Sequence, residues 1–158
     1  MKIDPESGVV EFNREIILRP RMTRSDILSI NTKWEEWTIV DNIPRAFRTI
    51  IELPNKGMSS KTILIVHVGL ENRPMAFWDV APWDITEGAQ SRPEGKCTKR
   101  MRSWFNEAFK TKLPLKKEWG HIDASYDPWN QSTGVVCNYR EGFSSDEEWS
   151  EYKKNNNY

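Results

Sequence analysis

The sequence predicts an α+β fold: a twisted antiparallel sheet built from hairpins, one long amphipathic helix packed on it (about 94–112), and a short helix near 24–29. Three observations carry this. Apolar and β-branched residues recur in pairs of short runs separated by turn chemistry. One segment late in the chain changes to helical spacing. Eight Trp, six Phe and four Tyr supply the buriable area that a charged fraction of 29% would otherwise deny a core. With 158 residues the chain has the size of one domain. The expected division is a single α+β domain over 1–140 and a polar, flexible tail over 141–158, where the sequence turns Ser-, acid- and Asn-rich.

The elements follow in order. Residues 8–12 and 15–18 are β-like runs around Asn13-Arg14, which predicts an opening hairpin. Pro20 ends it, and Thr23-Arg24-Ser25-Asp26 has the spacing of an acidic capping box, with Met22 and Ile27 placed as a hydrophobic staple, so a short helix starts there. Residues 34–40 and 46–53 flank Asp41-Asn42-Ile43-Pro44 and predict a second hairpin. In its later strand Phe47, Thr49, Ile51 and Leu53 share one face and Arg48 and Glu52 the other, the alternation of a half-buried antiparallel strand. Residues 56–60 read as a loop, and 63–68 are apolar on both faces, as in the central strand of a sheet. Residues 71–74 then turn the chain into a strand over 75–80. Residues 81–93 lose periodicity around Pro82, Gly88 and Pro93. Ser91 and Glu94 have capping-box spacing, and Cys97, Met101, Trp104 and Ala108 recur at helical intervals, with Pro114 as the stop. A last hairpin pairs 119–126 with 133–139 across a loop containing Asp127-Pro128.

Composition also excludes function classes. Twenty-three basic residues balance twenty-three acidic ones, so no global field favours nucleic acid. No apolar run approaches the roughly 20 residues that span a bilayer, and the N-terminus has no signal-peptide core, which predicts a cytoplasmic protein without a membrane partner. Cys97 and Cys137, far apart in a chain expected in the cytosol, read as buried thiols rather than a disulfide.

Catalytic groups are scarce. A hydrolase triad needs a base, and the only histidines are His67 and His121. His67 shares a strand face with Ile63 and Ile65 and reads as a core-edge histidine satisfied by a neighbouring polar group; His121 alternates with Trp119 and Asp123. The Cys and His residues are scattered singly, not in the close pairs of a zinc site. Asp79, Asp84, Glu94 and Lys96 superficially resemble a metal-dependent nuclease set, but Glu94 and Lys96 fall at a helix start where that chemistry wants a strand. No Gly-rich phosphate loop is present. The expectation is a protein without catalytic residues, metal or cofactor.

Binding features are richer. Trp37, Trp78 and Trp104 sit among apolar neighbours and are expected in the core, whereas Trp83 and Trp129 lie in loops beside acids, where an aromatic can anchor an interface, stack on a sugar or plug the end of the core. Acidic groups cluster at Glu35-Glu36, at Asp79 with Asp84 and Glu87, at Asp123 with Asp127, and at Asp146-Glu147-Glu148, and would steer a basic partner if several converged on one face. The candidate partner-binding residues are therefore Glu35, Glu36, Asp79, Trp83, Asp84, Asp123, Asp127 and Trp129.

Three landmarks carry a family likeness. They are Leu18-Arg19-Pro20-Arg21-Met22-Thr23-Arg24-Ser25 after the opening hairpin, the helix with Trp104 after a Trp-rich connection, and Glu118-Trp119-Gly120-His121-Ile122 with Tyr126-Asp127 before the final strand. Over about residues 8–140 the chain resembles small enterobacterial immunity proteins of polymorphic-toxin loci, of the contact-dependent inhibition or Rhs type. The resemblance implies a cytosolic, non-catalytic inhibitor that occludes the active site, or another needed surface, of a cognate toxin domain, and it transfers no functional residue. Two other readings stay open: a carbohydrate- or small-ligand-binding module using Trp83 and Trp129, and a hydrolase or nuclease using His121 with Asp123 or the Asp79 region.

Overall fold

In the computed structural model, which describes residues 1–53, 60–70, 72–82, 94–128 and 132–158, the N-terminal runs form an antiparallel sheet of their own: β1 (Lys2–Asp4), β2 (Val9–Glu11) and β3 (Ile17–Leu18). β2 and β3 are the expected hairpin, and Asn13 Oδ1 organises its turn by accepting from the N–H groups of Glu15 and Ile16. β1, unforeseen, pairs with the other edge of β2; three residues with a single apolar side chain carry no periodic signal. Helix α1 (Arg24–Ser29) starts as its sequence predicts. The Thr23 hydroxyl accepts from the Asp26 N–H, and the Asp26 carboxylate accepts from the Thr23 N–H at 2.8 Å, a bond that lowers the Asp26 pKa. Met22 and Ile27 are both buried across that cap.

Among the described residues the main sheet has seven strands, all antiparallel: β4 (Glu35–Val40), β5 (Ile43–Glu52), β6 (Lys61–His67), β7 (Phe77–Pro82), β8 (Leu115–Lys117), β9 (Gly120–Asp127) and β10 (Ser132–Tyr139), in the order β4-β5-β6-β7-β10-β9-β8. Asp41 and Asn42, at φ 51° and 61°, make the two-residue turn of the β4–β5 hairpin, a conformation that matches strand twist and that Asn and Asp tolerate. β6 lies inside the sheet between β5 and β7, one place from the central position that its apolar character predicts, which β7 holds. Short β8 escaped the sequence reading for the same reason as β1. The expected capping box at Ser91 and Glu94, and the expected loop over 56–59, lie outside the described residues.

Side-chain alternation gives this sheet two faces. Phe47, Thr49, Ile51, Leu64, Val66, Trp78, Val80, Ile122, Ala124, Val135 and Cys137 are buried on one. Helix α2 (Glu94–Phe109) packs there against β9 and β10 through Met101, Trp104, Phe105 and Phe109. It stops before the expected 112 because Lys110 takes a left-handed conformation (φ 51°), and Asn106 Oδ1 then accepts from the Leu113 N–H. The small sheet closes the same core. Phe12 sits edge-on to Trp78 at 5.2 Å and to Phe109 at 5.5 Å. The buried Tyr139 hydroxyl accepts from Trp78 Nε1 (3.3 Å) and donates to the Gly8 carbonyl (2.9 Å). Gly8 has φ 73° and lies under the Trp119 ring, where a Cβ would come within 2.5 Å.

The C-terminal segment corrects an expectation. Residues 141–158 are not a frayed tail: after a 3-10 turn, Arg140–Gly142, comes helix α3 (Asp146–Asn155), capped by the Ser145 hydroxyl, with Asp146, Glu147 and Glu148 in its first turn and Lys153 and Lys154 in its last. That charge order complements the helix dipole, and the polar composition that mimics a tail is the helix's own capping chemistry. Trp149 is 3% exposed and stacks on Tyr152, whose hydroxyl bonds His121 Nδ1 (2.9 Å) and accepts from Asn138 Nδ2 (3.1 Å). Lys116 Nζ donates to the carbonyls of Asn156 and Asn157, and the Tyr158 hydroxyl reaches the backbone of Lys117 and Gly120.

Two stability predictions follow from this packing. Tyr139→Phe leaves a buried indole N–H and a carbonyl without their partner and is expected to cost about 1–3 kcal/mol, read from urea unfolding midpoints. Trp149→Ala is expected to cost about 3–5 kcal/mol in the same assay; an unchanged midpoint would show that α3 adds nothing to the fold.

Candidate functional site

The second face of the main sheet is hollowed into a groove of about 960 Å³. Its floor comes from alternate residues of four neighbouring strands: Ile63, Ile65 and His67 of β6, Phe77, Asp79 and Ala81 of β7, Gly134 and Val136 of β10, and Ser125 with Asp127 at the end of β9. Registers Ile65↔Asp79 and Val136↔Asp79 put these three side chains in one row across the sheet. The wall is edge strand β4, whose Trp37, Thr38 and Ile39 all line the groove.

Polar groups here are held in pairs. His67 Nε2 lies 3.1 Å from Asp79 Oδ2, and the imidazole stacks on Phe77 at 3.9 Å with 16° between planes. The Arg48 guanidinium sits 4.1 Å over the Trp37 ring while its Nε donates to Glu35 Oε2 at 3.0 Å. Of the residues singled out from sequence, Asp79 and Asp127 line the groove, Glu35 joins it through Arg48, and Glu36 is exposed on the same edge strand. Asp123 is instead engaged by α2: Arg102 grips it through two bonds of 2.7 Å, which holds the guanidinium more firmly charged, and its Oδ1 also accepts from the Ala124 N–H. Trp83, Asp84 and Trp129 lie outside the described residues.

One aromatic expectation is overturned. Trp78 and Trp104 are buried, but Trp37 is 50% exposed and Ile39 is 55% exposed, because β4 is the sheet's edge and all six of its residues face solvent. Sequence reasoning therefore missed Trp37, Ile39 and Phe77 as groove residues. The available signal was the failed alternation of 35–40, which marks a bulged edge strand rather than a core one.

His67 has the predicted place, a half-buried strand position satisfied by a polar neighbour. His121 is sealed beneath α3; burial lowers its pKa, the nearby Asp123 charge opposes that shift, and Nδ1 is occupied by Tyr152 while Asp123 is occupied by Arg102. The same burial pushes the Tyr152 hydroxyl up to about 12, so it remains a donor. Cys97 and Cys137 are buried and not joined in a disulfide, and burial raises the Cys137 pKa well above its ordinary value. Among the described residues, no three His, Cys, Asp or Glu side chains converge as a metal site. No helix there is long and apolar enough to cross a membrane.

Comparison with known proteins supplies the class: this is an immunity protein of the polymorphic-toxin kind. More particularly, the chain belongs to the RhsI1 immunity protein family, whose family model matches residues 1–158. That membership places it with the Rhs-type systems. The chain is similar to a chain of the solved structure "Rhs1-CT in complex with cognate immunity protein RhsI1", with 32% identity, coverage of 99% of this chain and 98% of that one, and a TM-score of 0.81. No curated protein matches.

His121 gives this region a pH signature. Its folded pKa lies below the ordinary 6.5, so as pH falls past 6.5 the unfolded chain takes up the proton first. The unfolded state then binds more protons, and stability, full above about 6.5, declines toward the folded pKa. Denaturation midpoints between about pH 7.5 and 5.5 should fall for the native chain, and less steeply for His121→Gln. Equal slopes would remove His121 as the source.

Proposed function

We propose that this protein neutralises the toxin domain of its own Rhs-type system by laying the hollowed face of its seven-stranded sheet over a surface the toxin needs. The observation that carries the reading is likeness along nearly the whole chain, at 32% identity and TM-score 0.81, to a chain of the complex between an Rhs1-CT and its cognate immunity protein. A sheet with one face packed beneath α2 and the other open leaves the open face as the natural recognition surface, and a groove flanked by exposed Trp37 and Ile39 has the aromatic-apolar character of interface cores.

Inhibition of this kind requires no reaction by the inhibitor. The protein acts by occlusion, with no catalytic residue, metal or cofactor of its own, in the cytoplasm of the cell that must survive the toxin. Glu35, Glu36, Asp79 and Asp127 supply its negative charge, and Trp37 joins them as an apolar anchor. Trp83, Asp84 and Trp129 remain part of the proposed surface. Asp123 serves it through the Arg102 pair that fixes the edge of β9.

A second reading has one observation in its favour: the groove volume of about 960 Å³ is within the size of small-molecule pockets, so a sugar or other small ligand would fit. Coexpression separates the two. The adjacent toxin domain expressed alone should arrest growth, and this chain should restore it and co-purify with the domain. Ile63→Arg, which puts a long charged side chain on the groove floor, should lose protection while keeping the native melting temperature. Undiminished protection by Ile63→Arg would exclude the groove, and absence of protection or binding by the native chain would reject the toxin reading.

A further inference from the structure

The groove's construction defines what enters it. In a regular strand successive side chains face opposite sides, yet Trp37, Thr38 and Ile39 line the same groove. Register shifts at Glu36/Thr38 and Thr38/Ile39 explain this: the bulges turn the edge strand so that it forms a wall. The same irregularities blunt β4 as a template for strand addition, which leaves side-chain insertion as the docking mode.

The charge inside is one-sided. Arg48 is the one Arg or Lys among the described lining residues, and Glu35 already offsets its charge. Asp79, its side chain 27% exposed, stands mid-floor, with His67 Nε2 3.1 Å from one oxygen of its carboxylate. Asp127 adds a second carboxylate on the lining, and Glu36 lies exposed on the adjacent edge. Around these acids the lining is apolar, formed by Trp37, Ile39, Ile63, Ile65, Phe77 and Val136. A carboxylate set in an aromatic-apolar trough matches a guanidinium, which is planar, weakly hydrated, able to pair with both carboxylate oxygens and inclined to stack on rings.

We infer that the groove is the receptor for an arginine side chain on an apolar-flanked loop of the toxin domain, paired with Asp79 and laid against the aromatic lining. This rests on the preceding reading that the toxin covers this face. It adds the chemistry of the contact, a single desolvated charge pair at the centre of an apolar patch.

Titration calorimetry of the full chain with the adjacent Rhs toxin domain, at about 50 and about 300 mM salt, tests it. Asp79→Asn should weaken binding at least about ten-fold and flatten the salt dependence, Asp79→Glu should recover part of the loss, and Trp37→Ala should weaken binding without changing the salt dependence. Thermal melting verifies that each variant is folded. An alanine scan of the toxin domain's Arg residues should find one whose loss is not additive with Asp79→Asn. If Ile63→Arg abolishes binding while Asp79→Asn and Trp37→Ala bind like the native chain, the face is right and the arginine pairing is wrong. If all three bind like the native chain, the toxin docks elsewhere and both readings fall. Self-association of the free protein that Trp37→Ala abolishes would assign the groove to a second copy and overturn the inference.

Discussion

The Tyr139 hydroxyl is the point on which the two sheets depend. It ends β10, takes the indole N–H of Trp78 from the neighbouring strand β7, and gives its own proton to the Gly8 carbonyl of the small sheet. All three groups are cut off from bulk water, so each bond replaces one that solvent would otherwise supply, and an unpaired member would carry the cost of desolvation. Burial raises the phenol's pKa well above its ordinary value, which keeps the donor protonated. Phe12 can lie edge-on to Trp78, and Trp119 can cover Gly8 and reach the Pro5 carbonyl, because that chain of bonds holds the small sheet at this distance.

With the core closed on that side, α3 covers the opposite edge. α3 carries Trp149 and Tyr152 over β8, β9 and β10 at the His121–Asn138 end, away from Asp79 and Trp37. The open face is thereby divided: one end is sealed by aromatic packing, and the other is left as a groove. Net charge says nothing about this arrangement. The zero balance averages a helix α2 whose outer side carries Lys96, Lys99 and Arg100 with a groove whose described acids outnumber its cation. Recognition depends on the local field at the contact rather than on the sum over the molecule.

Much of the fold was legible because its signals are local. Thr23 and Asp26 define a helix start within four residues, Asp41-Asn42 defines a hairpin turn within two, and the alternation of Phe47, Thr49, Ile51 and Leu53 assigns a face without reference to any other strand. The short strands β1 and β8 were illegible because three residues carry no period. The order of α3 was hidden because its polar surface resembles a solvated tail until Trp149 and Tyr152 are placed against β9 and β10. For the candidate site, Glu35, Asp79 and Asp127 were visible as acids beside β-strands, but Trp37 was assigned inward, since an apolar neighbourhood in sequence does not reveal which strand forms an edge.

The sequence by itself determined the class of the fold, the sidedness of its strands, the shortage of catalytic groups and, through its landmarks, the immunity-protein family. These depend on residue type and spacing along the chain, where the physics is that of a turn, a cap or a pleat. Tertiary structure alone decided that Asp79 and Asp127 share a groove while Asp123 is tied to Arg102, that Trp37 faces outward, and that the last eighteen residues include a helix that buries Trp149. Those outcomes turn on strand order and on bulges in β4. Both arise from contacts between residues far apart in sequence, whose packing no short window of residues contains.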